Sequence, residues 1–212
     1  MIYLPLILLI PNLGEDDIED NLPLSTIFKR SPVEAFQQFT SNLWNVDCTQ
    51  ELNLKRGSLL LHCVRLMKQK RLDLMSVPDV RFEGEEGIDA EGLTREFLTG
   101  LMTSIRQGEG SLTLFEGQYP NVVPCHNTDY LSSRIFFYVG QLMAYSIVHS
   151  GIAMTGLSPA AASFIINANI DMACDLLTLQ DVADLELRDV IDKVSTYIKL
   201  LCKIRKYIKL LN

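Results

Sequence analysis

The chain has 212 residues, 48% of them hydrophobic and 21% charged, which suits one domain with or without tails and excludes a disordered chain. A net charge of -7 and a pI near 5.0 give no basic footprint, so nucleic acid is not an expected partner. Five singly scattered cysteines, an odd number without a CxxC, argue for reduced thiols in an intracellular protein, cytoplasmic or nuclear.

In chain order, residues 1–31 read as an irregular leader. The opening "MIYLPLILLIPN" is apolar but lacks a charged n-region and a small-residue cleavage site, and it is shorter than the roughly 20 residues a membrane span needs. Ser31-Pro32 then marks a helix start, with "VEAFQQFTSNLW" placing Val33, Phe36, Phe39 and Leu43 on one face. A second helix is expected over about 56–72, with Leu59, Cys63, Leu66 and Met67 inward. Pro78 stops any helix, and "DVRF" reads as a short strand with Val80 and Phe82 on one side.

A helix is expected from about Ala90 to Gln107, its core face set by Leu93, Phe97, Leu101 and Ile105 at four-residue spacing. "LTLF" reads as a strand, "EGQYPNVVPCHN" as an irregular connection, and about Thr128 to Ser150 as one long helix packed on several sides. Within it "RIFFYVGQLMAYSIVHSGI" is interrupted by Gly140, Gln141, Ser146 and His149, which makes it a core helix rather than a membrane span. Ser158-Pro159 starts a further helix, and a mainly helical chain follows to the end. The expected organisation is a leader at 1–31, a helical domain at 32–194 and a basic amphipathic tail at 195–212. The fold class is mainly α, or α+β with a few short strands.

The densest candidate for chemistry is "VRFEGEEGIDAEGLTREFL", residues 80–98, which holds six carboxylates and three glycines. An EF-hand loop started at Glu83 would need its glycine at the sixth position, which is Ile88, so calcium does not fit. Neither a GxGxxG nor a GxxxxGK[ST] motif is present, and no GxSxG elbow. The favoured reading is scaffold: Asp89 caps the following helix and Glu91 lies near its positive end. His62, His126 and His149 fall in no zinc spacing, and Cys125-His126 reads as a chance pair in a loop. Cys63 and Cys174 read as buried structural thiols. No catalytic, cofactor or metal residue is assigned.

In the tail, Lys193, Lys199, Lys203, Arg205, Lys206 and Lys209 accumulate opposite a stripe of Val194, Ile198, Leu201, Ile208 and Leu211. Such a helix could lie on a membrane or a partner helix; packing on its own domain, or standing exposed as part of a longer chain, ranks above membrane binding.

Residues 80–98 also resemble the hallmark at the start of the HECT ubiquitin-ligase domain: an apolar-x-Phe, then Gly-Glu-x-Gly-x-Asp-x-Gly-Gly, then Arg-Glu-Phe. Phe82, Gly84, Glu85, Gly87, Asp89, Gly92, Arg95, Glu96 and Phe97 match it, and Glu91 departs. "LNLKRGSLLLHCVRLM" before it, and "LFEG", "FFYVGQLMAYSIVHSGI", "GLSPAA" and "DLLTLQDVADLELRDVI" after it, extend the resemblance from about Val46 to about Val194. Gly156-Leu-Ser-Pro159 resembles a segment carried by divergent HECT proteins.

The resemblance implies the larger, helical subdomain of a HECT N-lobe. It implies transfer of ubiquitin from a ubiquitin-conjugating enzyme through a cysteine thioester to a substrate lysine. The family's nucleophile stands in a Thr-Cys-Phe-like context in a separate C-terminal lobe. Here the contexts are "VDCTQ", "LHCVR", "VPCHN", "MACDL" and "LLCKI", so the chain is expected to be inactive alone and to lack the docking subdomain for the conjugating enzyme. The other expectation is a non-catalytic helical interaction module.

Overall fold

The structure is a computed structural model that describes residues 45–85 and 90–211. The leader at 1–31, the helix expected over 33–44 and the Asp89 cap lie outside the described residues. Contacts divide the chain into two compact units, Met1–Leu114 with His126–Thr155, and Phe115–Cys125 with Gly156–Asn212.

In the first unit, β1 (Asn45–Leu54) and β2 (Ser76–Phe82) pair in parallel, with Leu52 opposite Val80 and Leu54 opposite Phe82. Parallel neighbours require a crossover, and a 3-10 turn at Arg56–Ser58 leading into α1 (Leu59–Lys68) supplies it. The second expected helix is thus shorter than its pattern, and Leu66 is only half-buried while Leu60 and Val64 join Cys63 and Met67 inside. Pro78 lies within β2, tolerated because each strand of a two-stranded sheet is an edge. Val80 and Phe82 both point into the core, as their alternation predicts.

α2 runs over Ala90–Gln107 and buries Phe97, Leu101 and Ile105, with Leu93 half-buried one turn earlier. It approaches α1 closely, since a Cβ on Gly100 would lie 2.8 Å from Leu59 Cδ1. Gly108 ends α2 at φ +88°, and a Cβ there would meet the Leu112 carbonyl oxygen at 2.8 Å. The turn returns Glu109 to the start of α1, where its carboxylate accepts from the backbone N–H of Leu60 (3.2 Å) and Leu61 (2.7 Å). Ser58, the residue placed to cap α1, makes no side-chain cap bond. A carboxylate 48 residues away in sequence takes that place.

The single helix expected over 128–150 is two, α3 (Thr128–Ser132) and α4 (Ile135–Ser150). Asn127 caps α3 by accepting from Asp129 and Tyr130 N–H. The hydroxyls of Ser132 and Ser133 bond back to the carbonyls of Asp129 and Tyr130, and Arg134 turns left-handed at φ 57°. Local side-chain bonding therefore wins over an apolar pattern that runs through the break. α4 buries Val139, Leu142 and Tyr145 and packs against α1 and α2, as a helix apolar on most sides should.

In the second unit, β3 (Phe115–Gln118) and β4 (Asn121–Pro124) form an antiparallel hairpin. This corrects two expectations. "LTLF" is not the strand, which begins at Phe115, and the supposed irregular connection carries both strands. Gly117, at φ +103°, permits the turn where a side chain would strike the Asn121 carbonyl. β4 also bonds to the Gly156–Ser158 segment, through Val122 N–H to Gly156 O (2.8 Å) and Ser158 N–H to Val122 O (3.0 Å).

α5 (Pro159–Asn167) begins at the expected cap, with the Ser158 hydroxyl accepting from Ala161 N–H at 3.1 Å. α6 (Ile170–Cys174), a 3-10 turn at Leu179–Asp181 and the 27-residue α7 (Leu185–Leu211) follow. α7 is continuous through residues 194 and 195. Seven α-helices and four strands among the described residues make a mainly helical α+β chain. Among the described residues no helix is long and apolar enough to cross a membrane.

Candidate functional site

The acid-rich stretch folds as a strand-turn-helix joint between β2 and α2, and its described residues converge on one arginine. Arg56, on the 3-10 turn before α1, donates through Nε and Nη2 to the two oxygens of Glu85 at 2.5 and 2.7 Å. Its Nη1 and Nη2 reach the oxygens of Glu96 on α2 at 2.5 and 3.2 Å. The guanidinium carbon lies 4.1 Å from the centre of the Phe82 ring at the end of β2. Gly84, at φ 81°, makes the turn that brings Glu85 back. Phe82, Gly84, Glu85 and Glu96 of the motif thus form a bidentate clamp on a residue that the motif does not include.

This geometry decides what the carboxylates can do. The hydrogen bonds from Arg56 hold Glu85 below the usual carboxylate range, and those from Glu85 and then Glu96 raise Arg56 further above its own. An ionised carboxylate whose oxygens are both engaged by a guanidinium is not a general acid. Among the described residues no group of three His, Cys, Asp or Glu side chains is placed to hold a metal. The joint is built to fix β2, the turn before α1 and α2 relative to one another.

Cys63, fully buried on α1, has its thiol pushed up to about 12, by burial first and by the Glu109 charge second. Burial, then Glu116, raises Cys125 as well. A thioester-forming cysteine needs the thiolate, so both are shifted away from that role. Cys174 is exposed at the last residue of α6, correcting the expectation that it is buried; Ala173 takes the inward position of that short helix. Cys48 is exposed on β1. The side chain of Cys202 lies outside the described residues.

Near Cys63 in the same unit, α4 carries a second polar group of interest. The Tyr145 hydroxyl is buried and has no hydrogen-bond partner among the described residues, and burial raises its pKa. The Tyr145 ring packs against His149 with centroids 4.2 Å apart. His149 Nε2 donates to the Leu74 carbonyl at 3.1 Å. Burial lowers the His149 pKa, against the opposing effects of that bond and of Asp73.

In the second unit the polar centre is Asp181. Its carboxylate accepts from Thr178 N–H (2.7 Å) and the Thr178 hydroxyl (2.9 Å), closing a capping box. Burial pushes this carboxyl up, but Ser158, Thr178 and Arg188 outweigh it and hold it below its ordinary value. Arg188 also donates to the Val182 and Gln180 carbonyls, fixing the 3-10 turn to the start of α7. These contacts are structural.

Sequence reasoning missed the Arg56 clamp and the Glu109 cap. The signal for either is weak, because neither the arginine at the start of the expected 56–72 helix nor the lone glutamate in the loop after α2 carries a periodicity that points to its distant partner. No protein-family model matches the chain, and no curated protein matches it.

Proposed function

We propose that the chain is the helical part of a HECT-type ubiquitin-ligase N-lobe, a scaffold that does not transfer ubiquitin by itself. The observation that carries this reading is the ordered motif at residues 80–98, with flanking matches from about Val46 to about Val194. Its partners would be a ubiquitin-conjugating enzyme and ubiquitin, in a reducing compartment such as cytosol or nucleus.

Two features support the scaffold part of the proposal. Motif residues are spent on holding Arg56, and the two thiols with shifted pKa values are both shifted toward the protonated form. The test is a thioester assay of the full chain with activating enzyme, a panel of conjugating enzymes and ubiquitin. No reducible adduct is expected; an adduct on any of the five cysteines would overturn the proposal. The alternative, a non-catalytic helical interaction module, draws its support from the exposed apolar residues of α7.

A further inference from the structure

Residues 55–71 hold six Lys or Arg side chains and no Asp or Glu, in a chain whose net charge is -7. Arg56 is taken up by the clamp, but Arg65, Lys68, Lys70 and Arg71 are exposed and form no ion pair among the described residues. Arg65 and Lys68 share the outer face of α1, away from buried Cys63, Val64 and Met67, and Lys70 and Arg71 follow in the turn that ends the helix. That turn is held in one shape. Lys70 N–H donates to Met67 O at 2.9 Å and Arg71 N–H to Leu66 O at 2.8 Å, with Lys70 left-handed at φ 54°, where glycine would be unstrained. The Gln50 side chain of β1 donates to Arg71 O at 2.7 Å and accepts from Asp73 N–H at 2.9 Å. The end of a helix attracts cations with only about half a negative charge, which does not offset four of them. They stand instead on a surface already fixed for a polyanion.

The densest block of acid in the sequence is Glu15, Asp16, Asp17, Glu19 and Asp20, five carboxylates in six residues. It precedes the described residues, and the chain enters those at Asn45, which pairs with Ser76 at the start of β2, directly after the basic turn. Residues 21–44 thus tether the acidic run to the end of the sheet where Lys70 and Arg71 stand. We propose that the acidic run 15–20 docks on the basic face formed by Arg65, Lys68, Lys70 and Arg71 of the same chain. Glu83 and Glu85 are less suited, because they follow β2 at its far end, roughly 20 Å from Ser76, and Glu85 already serves Arg56. Single surface ion pairs are weak and screened by salt, so the docking rests on several formed together and on the effective concentration that a tether gives. A free acidic peptide or an anionic membrane lacks that tether and would have to displace the run.

The inference stands apart from the ligase reading and is tested without any activity. Carbodiimide cross-linking of the full chain at low salt, read by mass spectrometry of digests, is expected to join carboxylates of residues 15–20 to Lys68 or Lys70 within one chain, with the yield falling roughly fivefold or more at high salt. Neutralising the run (Glu15→Gln, Asp16→Asn, Asp17→Asn, Glu19→Gln and Asp20→Asn) should shift the backbone amide resonances of residues 65–71 and leave those of α4 in place. A peptide of residues 12–22 should bind the neutralised chain roughly tenfold or more tighter than the parent, whose face is already occupied. No link to Lys68 or Lys70, links confined to Lys29, or resonances of 65–71 indifferent to the neutralisation overturn the docking. Links that join isotopically distinct chains assign the run to a second copy and overturn the tethered form. Phosphatidylserine vesicles that bind parent and neutralised chains equally well through Lys68 and Lys70 show the face to be vacant, and overturn it too.

Discussion

Glu109 offers the sharpest test of the fold. Its carboxylate receives the N–H groups of Leu60 and Leu61 at the first turn of α1, a position where Ser58 makes no cap bond. Glu109→Ala removes a cap, a loss of about 0.5–2 kcal/mol. It also removes a negative charge from a helix N-terminus, a further loss of about 0.3–1 kcal/mol. Together the expected destabilisation is about 1–3 kcal/mol, which in a chain of this size lowers Tm by roughly 2–4 °C per kcal/mol. Glu109→Gln keeps an acceptor oxygen and should lose about half as much. Ser58→Ala should lose almost nothing. Urea unfolding of the three variants beside the parent chain measures all of this, with the midpoint shifting at constant slope. If Glu109→Ala matched the parent to within about 0.3 kcal/mol, or if Ser58→Ala cost as much as Glu109→Ala, the long-range cap would be refuted.

Other expectations follow from the same geometry. Tyr145→Phe deletes a buried hydroxyl that has no partner among the described residues and should leave stability unchanged or raise it by about 1 kcal/mol; a clear loss in the same urea assay would mean that the hydroxyl has a partner. Cys63, whose thiol burial pushes up to about 12, should alkylate at pH 8 far more slowly than exposed Cys174, read by mass spectrometry of digests, and comparable rates would refute the burial argument. Glu85 has a lowered folded-state pKa, so it contributes stability that is present above the unfolded carboxylate value of about 4.3 and is lost as pH falls through its folded pKa. Glu85→Gln should therefore flatten the acid side of the Tm-against-pH curve, and an unchanged curve would remove the clamp from the account.

Much of this fold is legible where one periodic signal dominates. α2 appears at its expected bounds, because a four-residue apolar repeat and a following glycine define it at both ends. α5 begins where Ser158-Pro159 says it should. β1 is not legible, because only Leu52 and Leu54 alternate with polar neighbours in a ten-residue strand, too short a repeat to stand out beside the "SLLLHCV" run. The α3–α4 break was hidden, since Arg134 adopts a left-handed conformation that no sequence rule assigns to arginine. The hairpin was masked by its own turn formers, which read as loop.

For the candidate site, the motif marked the right joint, but its chemistry depended on a residue outside it. Pairwise long-range contacts such as Arg56 with Glu85 and Glu96, 29 and 40 residues apart, leave no periodicity to read. Thiol accessibility followed the same division. Cys63 sits on a regular apolar face and is buried, whereas Cys174 ends a five-residue helix too short to carry a face signal.

The first-turn amides of a helix have no intrahelical acceptors and ordinarily exchange with solvent as soon as the end frays. In α1 those of Leu60 and Leu61 are bound to Glu109, while Arg56 just before them is gripped from Glu85 and Glu96. Protection at these two amides is therefore expected to follow release of Glu109 from α1 rather than local fraying, and to be recorded at positions that would otherwise carry none.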